Sequence, residues 1–461
     1  MSDTIKIKKG LDLPIHGEAE LRVTEALNIR TYAVQPTDFV GLVPRLKVAE
    51  GDKVTAGTPL FQDKNNEKIL FTSPVNGQVK AVVRGEKRKL LAVIVETTED
   101  VAPAQTNTVA APANREALVE KMLECGAWTM LRQRPFGIVA NPDTTPKAIF
   151  VSCFDSAPLA IDTDFVMKGR EKEFEAGVKA LAMLTNGKVH LSFRPDQQLA
   201  KVNLTGAQIE KHFVSGPHPA GNIGTQMAAI DPINKGEIVW TMNVQDVAVL
   251  GHLMLTGEYR PERMVAVVGP EAKNPQYYHV MAGACLETLL KGQNLEGTRV
   301  ISGNVLSGTQ TTGNGYVGAY DSMISLLEEG NYYDFMGWLM PGLKKFSFSR
   351  TFASGFVCSK SRKKVLGTPN RCLTSKFDTS LHGAWRPQVV TGSFERVFPF
   401  DIYPTQLLKA CIIGDIELME NLGIYEVEPE DFALCEFIDT SKTDIQPIIR
   451  EALELLRKEA M

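Results

Sequence analysis

The chain has 461 residues, of which 44% are hydrophobic and 23% charged, and its formal net charge at pH 7 is -4. This composition is typical of a globular protein of several domains, because single domains usually hold about 100 to 200 residues. The lack of a basic excess excludes binding along the phosphates of a nucleic acid. No apolar run approaches the roughly 20 residues that cross a bilayer. No apolar segment follows the N-terminal lysines, so we expect no secretory signal and a cytoplasmic location.

The cysteines are scattered through the chain without a CxxC pair. We therefore expect reduced thiols that mostly fill the core, rather than disulfides, a zinc site or an iron–sulfur cluster. The seven cysteines are Cys125, Cys153, Cys285, Cys358, Cys372, Cys411 and Cys435.

Short β-rich runs between residues 39 and 96 resemble the two halves of a biotinyl or lipoyl carrier domain. The two phrases that carry this likeness are residues 48–54 and 73–79, in which glycines suit turns and valines suit an inward strand face. In true carriers a lysine at the tip of a hairpin, usually flanked by methionines, receives the cofactor. Lys64 and Lys68 lack those flanks, so we predict a structural module without an attached group.

An Ala, Pro, Thr and Asn-rich linker, residues 100–114, precedes an amphipathic helix at Arg115–Cys125. A buried strand at Lys147–Ser152, a helix at Phe174–Leu184 and a strand at Lys188–Phe193 then follow in β-α-β order. This order predicts a parallel sheet with covering helices, which is the Rossmann-like class.

The second half of the chain has a different pattern of predicted elements. Glycines separate short strands between residues 259 and 330, including Met264–Val268, around one predicted helix at His279–Leu290. Such a small α+β unit is similar to a β-grasp domain. Helical spacing at Tyr403–Leu422 and Ile445–Lys458 predicts a helical end.

Motifs with known chemistry are few. The GxGxxG match at Gly313–Gly318 follows a polar loop, whereas a dinucleotide fingerprint leaves a strand and opens a helix, so we expect no NAD site there. His212 and His218 lack the i,i+4 spacing that aims two side chains at one metal ion. Asp155 and Asp162 either share a ligand pocket at the carboxyl edge of the first strand, or Asp155 ends that strand and caps the next helix. We favour the second alternative, and we predict no catalytic, cofactor-binding or metal-binding residue.

Several segments together are similar to the A-subunit family of sodium-translocating NADH:quinone reductases, NqrA. The resemblance covers essentially the whole chain and extends more distantly to the Rnf complex C subunit and the NADH-binding flavoprotein subunit of respiratory complex I. The segments are Ile5–Ile15, Arg134–Phe136, Phe154–Ala160, His218–Gly221, Pro399–Thr405 and Glu430–Cys435.

The patterns and the resemblance imply a multidomain α/β and β protein with four parts. They are an N-terminal segment with a carrier-like β-sandwich (residues 1–100), a Rossmann-like α/β domain without the flavin loop (101–258), a β-grasp, SLBB-like domain (259–330) and a mainly helical C-terminal domain (331–461).

The sequence also departs from its relatives. Flavin-binding relatives hold FMN with a glycine-rich loop where this chain has the bulky stretch Trp128–Phe136. Their C-terminal cysteine clusters are reduced to Cys435, and Asp439 stands where the family usually has a second cysteine. After Gly224 the family's Gly-Thr-His-Ile-His type run is missing, so no role of those histidines is carried over.

The resemblance implies a cofactor-free, peripheral subunit on the cytoplasmic side of the bacterial inner membrane. The complex as a whole uses NADH, flavins, an iron–sulfur centre and quinone, and it exports sodium. The implied partners are its other subunits, chiefly a membrane subunit, and no nucleic acid. One alternative is a quinone-binding subunit with a pocket lined by residues such as Phe346, Phe348 and Phe352. Another is a self-sufficient NADH-oxidising flavoprotein, which the missing glycine loop disfavours.

The aromatic and methionine-rich run Tyr332–Met340 is the predicted partner surface. It includes Phe335 and Trp338, residue types that anchor interfaces. Core packing between the last two domains is the alternative interpretation of the same run.

Overall fold

The computed structural model describes residues 4–24, 28–97, 112, 114–332, 335–337, 339–343, 345–354 and 377–460. Three units contain most of the strands and a fourth consists of helices. The strands are β1 Ile5–Lys6, β2 Glu20–Thr24, β3 Thr31–Val34, β4 Pro44–Leu46, β5 Lys53–Val54, β6 Pro59–Asp63, β7 Leu70–Thr72, β8 Gly77–Arg84, β9 Leu90–Glu96, β10 Arg132–Arg134, β11 Ile138–Val139, β12 Ala148–Ser152, β13 Lys188–Phe193, β14 Ile209–Ser215, β15 Val239–Thr241, β16 Glu262–Val268, β17 Gln276–Met281, β18 Thr298–Ser302, β19 Thr309–Thr311 and β20 Met323–Glu328. The helices are α1 Arg115–Cys125, α2 Thr163–Val166, α3 Glu171–Leu184, α4 Ile223–Ile230, α5 Val244–Thr256, α6 Leu286–Leu289, α7 Pro404–Ile413, α8 Ile416–Asn421, α9 Ala433–Ile438 and α10 Ile445–Ala460.

Two small sheets form the N-terminal barrel-sandwich unit, one in the order β3-β9-β8-β5 and the other in the order β4-β6-β7. Their inward side chains share one core, in which the rings of Phe61 and Phe71 stack with centroids 4.8 Å apart. Lys64 and Lys68 lie between β6 and β7, and the ammonium group of Lys68 pairs with Asp143 of the neighbouring unit.

The main sheet has seven strands in the order β1-β14-β13-β12-β15-β10-β11. The strands from β1 to β15 in this order are parallel, and β10 and β11 are antiparallel additions. Ile149 and Val151 of β12 face the core that also contains residues of α3 and α5, whereas Ala148 and Phe150 face α4. A Cβ atom on Gly177 of α3 would lie 1.9 Å from the carbonyl oxygen of Val247, so these two helices approach at backbone contact.

The third sheet has six strands in the order β19-β18-β20-β16-β17-β2. The predicted helix at His279–Leu290 is wrong over its first part, because His279–Met281 belongs to β17 and only Leu286–Leu289 is helical. β17 is rich in aromatic residues and pairs with β16 on one side and β2 on the other. Strand pairing on both sides outweighs the apolar spacing that suggested a helix.

The N-terminal segment joins two of these sheets before the sandwich begins. β1 pairs in parallel with β14 of the main sheet, and β2 pairs in parallel with β17 of the third sheet. β1 and β2 are therefore part of sheets whose other strands come much later in the chain.

The C-terminal helices pack around a separate core that contains Phe398, Phe400 and Phe432. The predicted helical stretch Tyr403–Leu422 is divided in two, because Gly414 adopts a φ of 70° and Asp415 accepts a hydrogen bond from the amide of Leu418 as the cap of α8. α10 is amphipathic, with five apolar residues buried along one face. Across the described ranges of the chain, no helix has both the length and the apolar character that a membrane span requires.

Candidate functional site

A crevice opens at the carboxyl edge of the main sheet, between β12 and β15. After β12 the chain crosses to β13 on one side, whereas β15 lies on the other side, so this is the topological switch point where open α/β sheets bind ligands. The cavity has a volume of about 380 Å³. Its walls come from three units: Ser152, Asp155, Gly221, Asn222 and Asn243 from the main sheet; Gly303, Asn304 and Asp321 from the third sheet; and Glu428, Glu430, Gln446 and Arg450 from the C-terminal unit.

The ionisable side chains that line the crevice are mostly acidic. Four carboxyl groups, those of Asp155, Asp321, Glu428 and Glu430, face two cations, Arg132 and Arg450. The guanidinium of Arg450 donates a hydrogen bond of 2.7 Å to the carbonyl oxygen of Phe136. The guanidinium of Arg132 lies over the ring of Tyr320, 5.0 Å from its centroid. Burial raises the pKa of Asp155 and of Asp321. The crevice therefore contains more carboxyl groups than guanidinium groups, and Glu428 and Glu430 also lie within 3.4 Å of Arg134.

Arg134 lies beside the crevice, where it contacts Glu428 and Glu430 of the lining. Its side chain is 3% exposed and lies 3.4 Å from a carboxylate oxygen of Glu428, 2.8 Å from Glu430 and 3.2 Å from Asp431. Each distance joins a guanidinium nitrogen of Arg134, on β10, to a carboxylate oxygen of the C-terminal unit. A Cβ atom on Gly224 would lie 2.5 Å from Asp431 Oδ1 and 2.7 Å from Arg134 Nη1, so glycine leaves the room that this ion cluster occupies.

The stretch Trp128–Phe136, which the family resemblance predicts to replace a glycine-rich flavin loop, contains a short 3-10 turn and the strand β10. Trp128 is fully buried and its indole nitrogen donates a hydrogen bond of 2.7 Å to the carbonyl oxygen of Ala140. β10 is paired on both sides, with β15 and with β11. Backbone amides that bind each other and bulky side chains in the core leave no phosphate-binding loop over this stretch.

Asp155 and Asp162 do share a cavity, one of about 520 Å³ that lies next to the crevice. Our preferred interpretation of Asp155 as a helix cap is wrong, because its carboxylate accepts a hydrogen bond of 2.7 Å from the amide of Ala157 within a turn. The following helix, α2, is capped by Asp162, which accepts from the amide of Phe165.

The GxGxxG match lies on a loop between β19 and β20, and no helix begins there. Gly315 closes a turn on the carbonyl oxygen of Thr312, and the amide of Gly318 donates to Ser302 Oγ. β19 lies where a polar loop was expected and precedes this segment, but the described residues of the segment begin no helix that could position a dinucleotide.

The aromatic residues of the quinone alternative lie apart from the crevice. Phe346 packs against Phe437, with ring centroids 6.0 Å apart. Phe348 lies beneath the guanidinium of Arg396 at 4.4 Å. Phe352 lies near the ammonium group of Lys345. These contacts favour packing between parts of the C-terminal unit.

Cys435, like Cys411, is buried in the core of the last unit. Asp439 has a structural role, because its carboxylate accepts hydrogen bonds from the amides of Ser441 and Thr443.

The two histidines considered from the sequence do not meet. His218 is buried and its Nδ1 lies 3.1 Å from Ser156 Oγ. His212 instead lies beside His190 of the neighbouring strand, with Glu210 close to both. Sequence reasoning missed His190 because its partner is 22 positions away. The available signal was a histidine in each of two successive strands of a predicted parallel sheet. Burial lowers the pKa of His190 to about 4, so this ring is neutral at pH 7.

Three family models match the chain. The model for the NqrA N-terminal barrel-sandwich hybrid domain matches residues 5–98, the NqrA second alpha/beta domain matches 113–259, and the NQRA C-terminal domain matches 264–313. The first range covers the sandwich together with β1 and β2, and the second covers the main sheet except for β1.

Curated relatives match over nearly the full length. The A subunit of the Na(+)-translocating NADH-quinone reductase of Pasteurella multocida is 38% identical, over 99% of this chain and 100% of its own. Its counterpart from Rhodopirellula baltica is 37% identical over 98% of both chains. A solved NAD+-reducing [NiFe]-hydrogenase is 12% identical with a TM-score of 0.38, and the match covers 76% of this chain and 63% of that one. A score that low does not establish a shared fold. The full-length relatives show that this chain belongs to the A-subunit family of Na(+)-translocating NADH-quinone reductases.

Proposed function

We propose that the chain is a cofactor-free docking subunit of a Na+-translocating NADH:quinone reductase, held on the cytoplasmic face of a membrane subunit through an exposed apolar segment. The complex transfers electrons from NADH to quinone and exports sodium, while this subunit contributes surface and shape. We infer a Rossmann-like ancestry for the main sheet and a β-grasp, SLBB-like one for the third sheet.

The observation that carries the docking role is the exposure of the aromatic run predicted as a partner surface. Phe335 is 86% exposed, Leu339 62% and Met340 58%. Trp338, the predicted anchor, lies outside the described residues. Contiguous exposed apolar side chains are uncommon on soluble proteins unless another surface covers them. This segment therefore fits a subunit interface better than a core.

A second segment of the C-terminal unit has the same property. Trp385 is 69% exposed, Val389 56% and Val390 58%. Both segments belong to the unit that is fastened to the main sheet by Arg134. The second segment is attached to this unit, because the amide of Val389 donates a hydrogen bond of 3.1 Å to Ser441 Oγ.

The crevice supports the absence of a resident flavin or nucleotide. Its carboxyl groups outnumber its guanidinium groups, and each of the two arginines is engaged by a carbonyl oxygen or an aromatic ring. A buried phosphate group needs the opposite balance. No contact of Phe346, Phe348 or Phe352 described above favours the quinone alternative.

The docking role is tested with Leu339→Ala and Phe335→Ala in the assembled complex. Both variants should copurify with the membrane subunits at a reduced yield, because truncating an interface anchor costs about 2 kcal/mol or more. The melting temperature of the isolated protein should stay nearly unchanged, since both side chains are exposed.

Leu255→Ala is the matched control, because Leu255 at the end of α5 is 60% exposed and lies in another unit. Normal copurification of both test variants would rule out this segment as the interface. A fall of several degrees in their melting temperature would show that it belongs to the core.

A further inference from the structure

A cluster of two histidines and a glutamate lies on the main sheet, away from the crevice. His190 Nδ1 lies 2.9 Å from His212 Nε2. Glu210 Oε2 lies 3.7 Å from His190 Nδ1 and 4.0 Å from His212 Nε2. The three potential ligand atoms thus form a small triangle, which is the arrangement that a single metal ion requires.

Strand geometry holds these side chains on one face. Glu210 and His212 are two residues apart on β14, so they point to the same side, and His190 of β13 is the register partner of Glu210. Val189 and Leu191 point to the other side, into the core beneath α3 and α5. The cluster is therefore fixed by the backbone of two paired strands.

Neighbouring groups restrict the orientation of the side chains of His190 and Glu210. The imidazole of His190 stacks on Phe150 with ring centroids 4.5 Å apart, which limits its rotation. Lys188 lies 3.0 Å from Glu210 Oε1, so this oxygen is engaged and the other one faces the imidazoles. Partners behind the ligands that orient them are a regular feature of metal sites.

We propose that His190, Glu210 and His212 bind one divalent transition-metal ion of the Zn²⁺ class. Tetrahedral zinc has Zn–N and Zn–O bonds of about 2.0 to 2.2 Å, which places ligand atoms about 3.4 Å apart. The distances of 2.9, 3.7 and 4.0 Å bracket that value. Imidazole ligands select this class of ion over Mg²⁺ and Ca²⁺, which prefer oxygen.

Solvent access completes the site. His190 is buried, whereas the side chains of His212 and Glu210 are 20% and 42% exposed, so one side of the triangle faces water. An ion enters from that side and takes a water molecule as its fourth ligand. The proton that now lies between the two imidazoles moves to the outer nitrogen of one ring, and each ring then offers a lone pair to the metal.

The experiment uses the untagged full-length chain, stripped with EDTA and titrated with Zn²⁺ against a chromophoric chelator in excess Mg²⁺. The wild type should bind one ion per chain. His212→Gln and Glu210→Gln should each weaken binding at least tenfold. Lys188→Met should weaken it by about ten- to a hundredfold, as expected for a residue that orients a ligand.

His279→Gln is the matched control, because His279 lies 3.3 Å from a carboxylate oxygen of Glu262 without a second histidine nearby among the described residues. This variant should bind zinc like the wild type. Co²⁺ bound to the wild type should give the visible absorption of a tetrahedral site. This measurement tests the proposal even if a variant fails to fold, because it uses only the wild-type chain. The proposal would be overturned if the wild-type chain bound no stoichiometric zinc, or if folded His212→Gln bound zinc like the wild type. The cluster would then be only a hydrogen bond between two histidines.

Discussion

Arg134 Nη1 and Asp431 Oδ2 lie 3.2 Å apart, although 297 positions separate the two residues in the chain. The contact is almost completely closed to solvent, with side chains 3% and 0% exposed. Glu428 and Glu430 also lie beside the same guanidinium. The last helical unit is thus attached to the main-sheet unit through this buried cation, and the hydrogen bond from Arg450 to the carbonyl oxygen of Phe136 adds a second contact.

Replacing Arg134 with alanine should destabilise the protein strongly. Removing one partner of a buried ion pair leaves uncompensated charge and typically costs about 3 to 5 kcal/mol. Thermal unfolding followed by circular dichroism should show a fall of many degrees. Arg45→Ala is the control, because its pair with Glu67 is exposed at 65% and 62% and such pairs contribute about 1 kcal/mol or less. Equal losses in the two variants would contradict this account.

The stability of the protein should depend on pH through Asp38. Burial raises the pKa of this carboxyl group from its ordinary value of 3.8 to about 7, although the amide of Ala319 donates a hydrogen bond to it. Between about pH 4 and pH 7 the folded chain holds a proton that the unfolded chain has lost, so this group lowers stability as pH rises.

Asp38→Asn removes that titration. The melting temperature of the variant should rise relative to the wild type between pH 5 and pH 8. Asp196→Asn, which removes an exposed carboxyl group, serves as the control for the loss of one charge. A difference between Asp38→Asn and wild type that stays constant over this range would exclude Asp38 as the cause.

The purified protein should be colourless. The stretch Trp128–Phe136 contains the paired strand β10 and the buried Trp128, and the family resemblance predicts that Asp439 stands in place of a cysteine. An absorption spectrum of the isolated chain should show no flavin or iron–sulfur band above the protein absorbance. A visible band stoichiometric with protein, retained through gel filtration, would contradict the cofactor-free proposal.

Neither Lys64 nor Lys68 should carry a lipoyl or biotinyl group. Lys68 is engaged with Asp143 of the adjacent unit, and this contact places the β6–β7 turn against the main-sheet unit. The intact mass of the protein should equal that of the unmodified sequence. Lys64→Arg and Lys68→Arg complexes should turn over like wild type, and an adduct mass on either lysine would overturn the prediction.

Local sequence signals predicted several elements well. The helix Arg115–Cys125 and the strand Lys188–Phe193 have the predicted bounds, because an asparagine cap, a closing glycine and a short apolar run mark their ends. The bounds of the strands β12 and β16 were also predicted to within a few residues. The predicted domain ranges of 1–100, 101–258, 259–330 and 331–461 remain predictions at their edges.

Local sequence patterns did not predict the contacts between distant parts of the chain. Arg134 gives no sign in the sequence that three carboxylates from residues 428–431 surround it. The histidine cluster likewise depends on the register of β13 against β14. The helix predicted at His279–Leu290 was wrong because β17 acquires its neighbours from residues 20–24 and 262–268. Spacing along one segment contains no information on such partners.

The pairing of the N-terminal segment also imposes an order of events during synthesis. β2 is among the first strands to leave the ribosome, yet its partner β17 is about 250 residues behind, a delay on the order of ten to fifty seconds at bacterial elongation rates. During this interval the sandwich can close on itself, while β2, the edge strand of the third sheet, has no strand to pair with. The nascent chain therefore exposes unpaired strand edges until its second half emerges, and this interval is when a chaperone or an early contact with a partner has the most to protect.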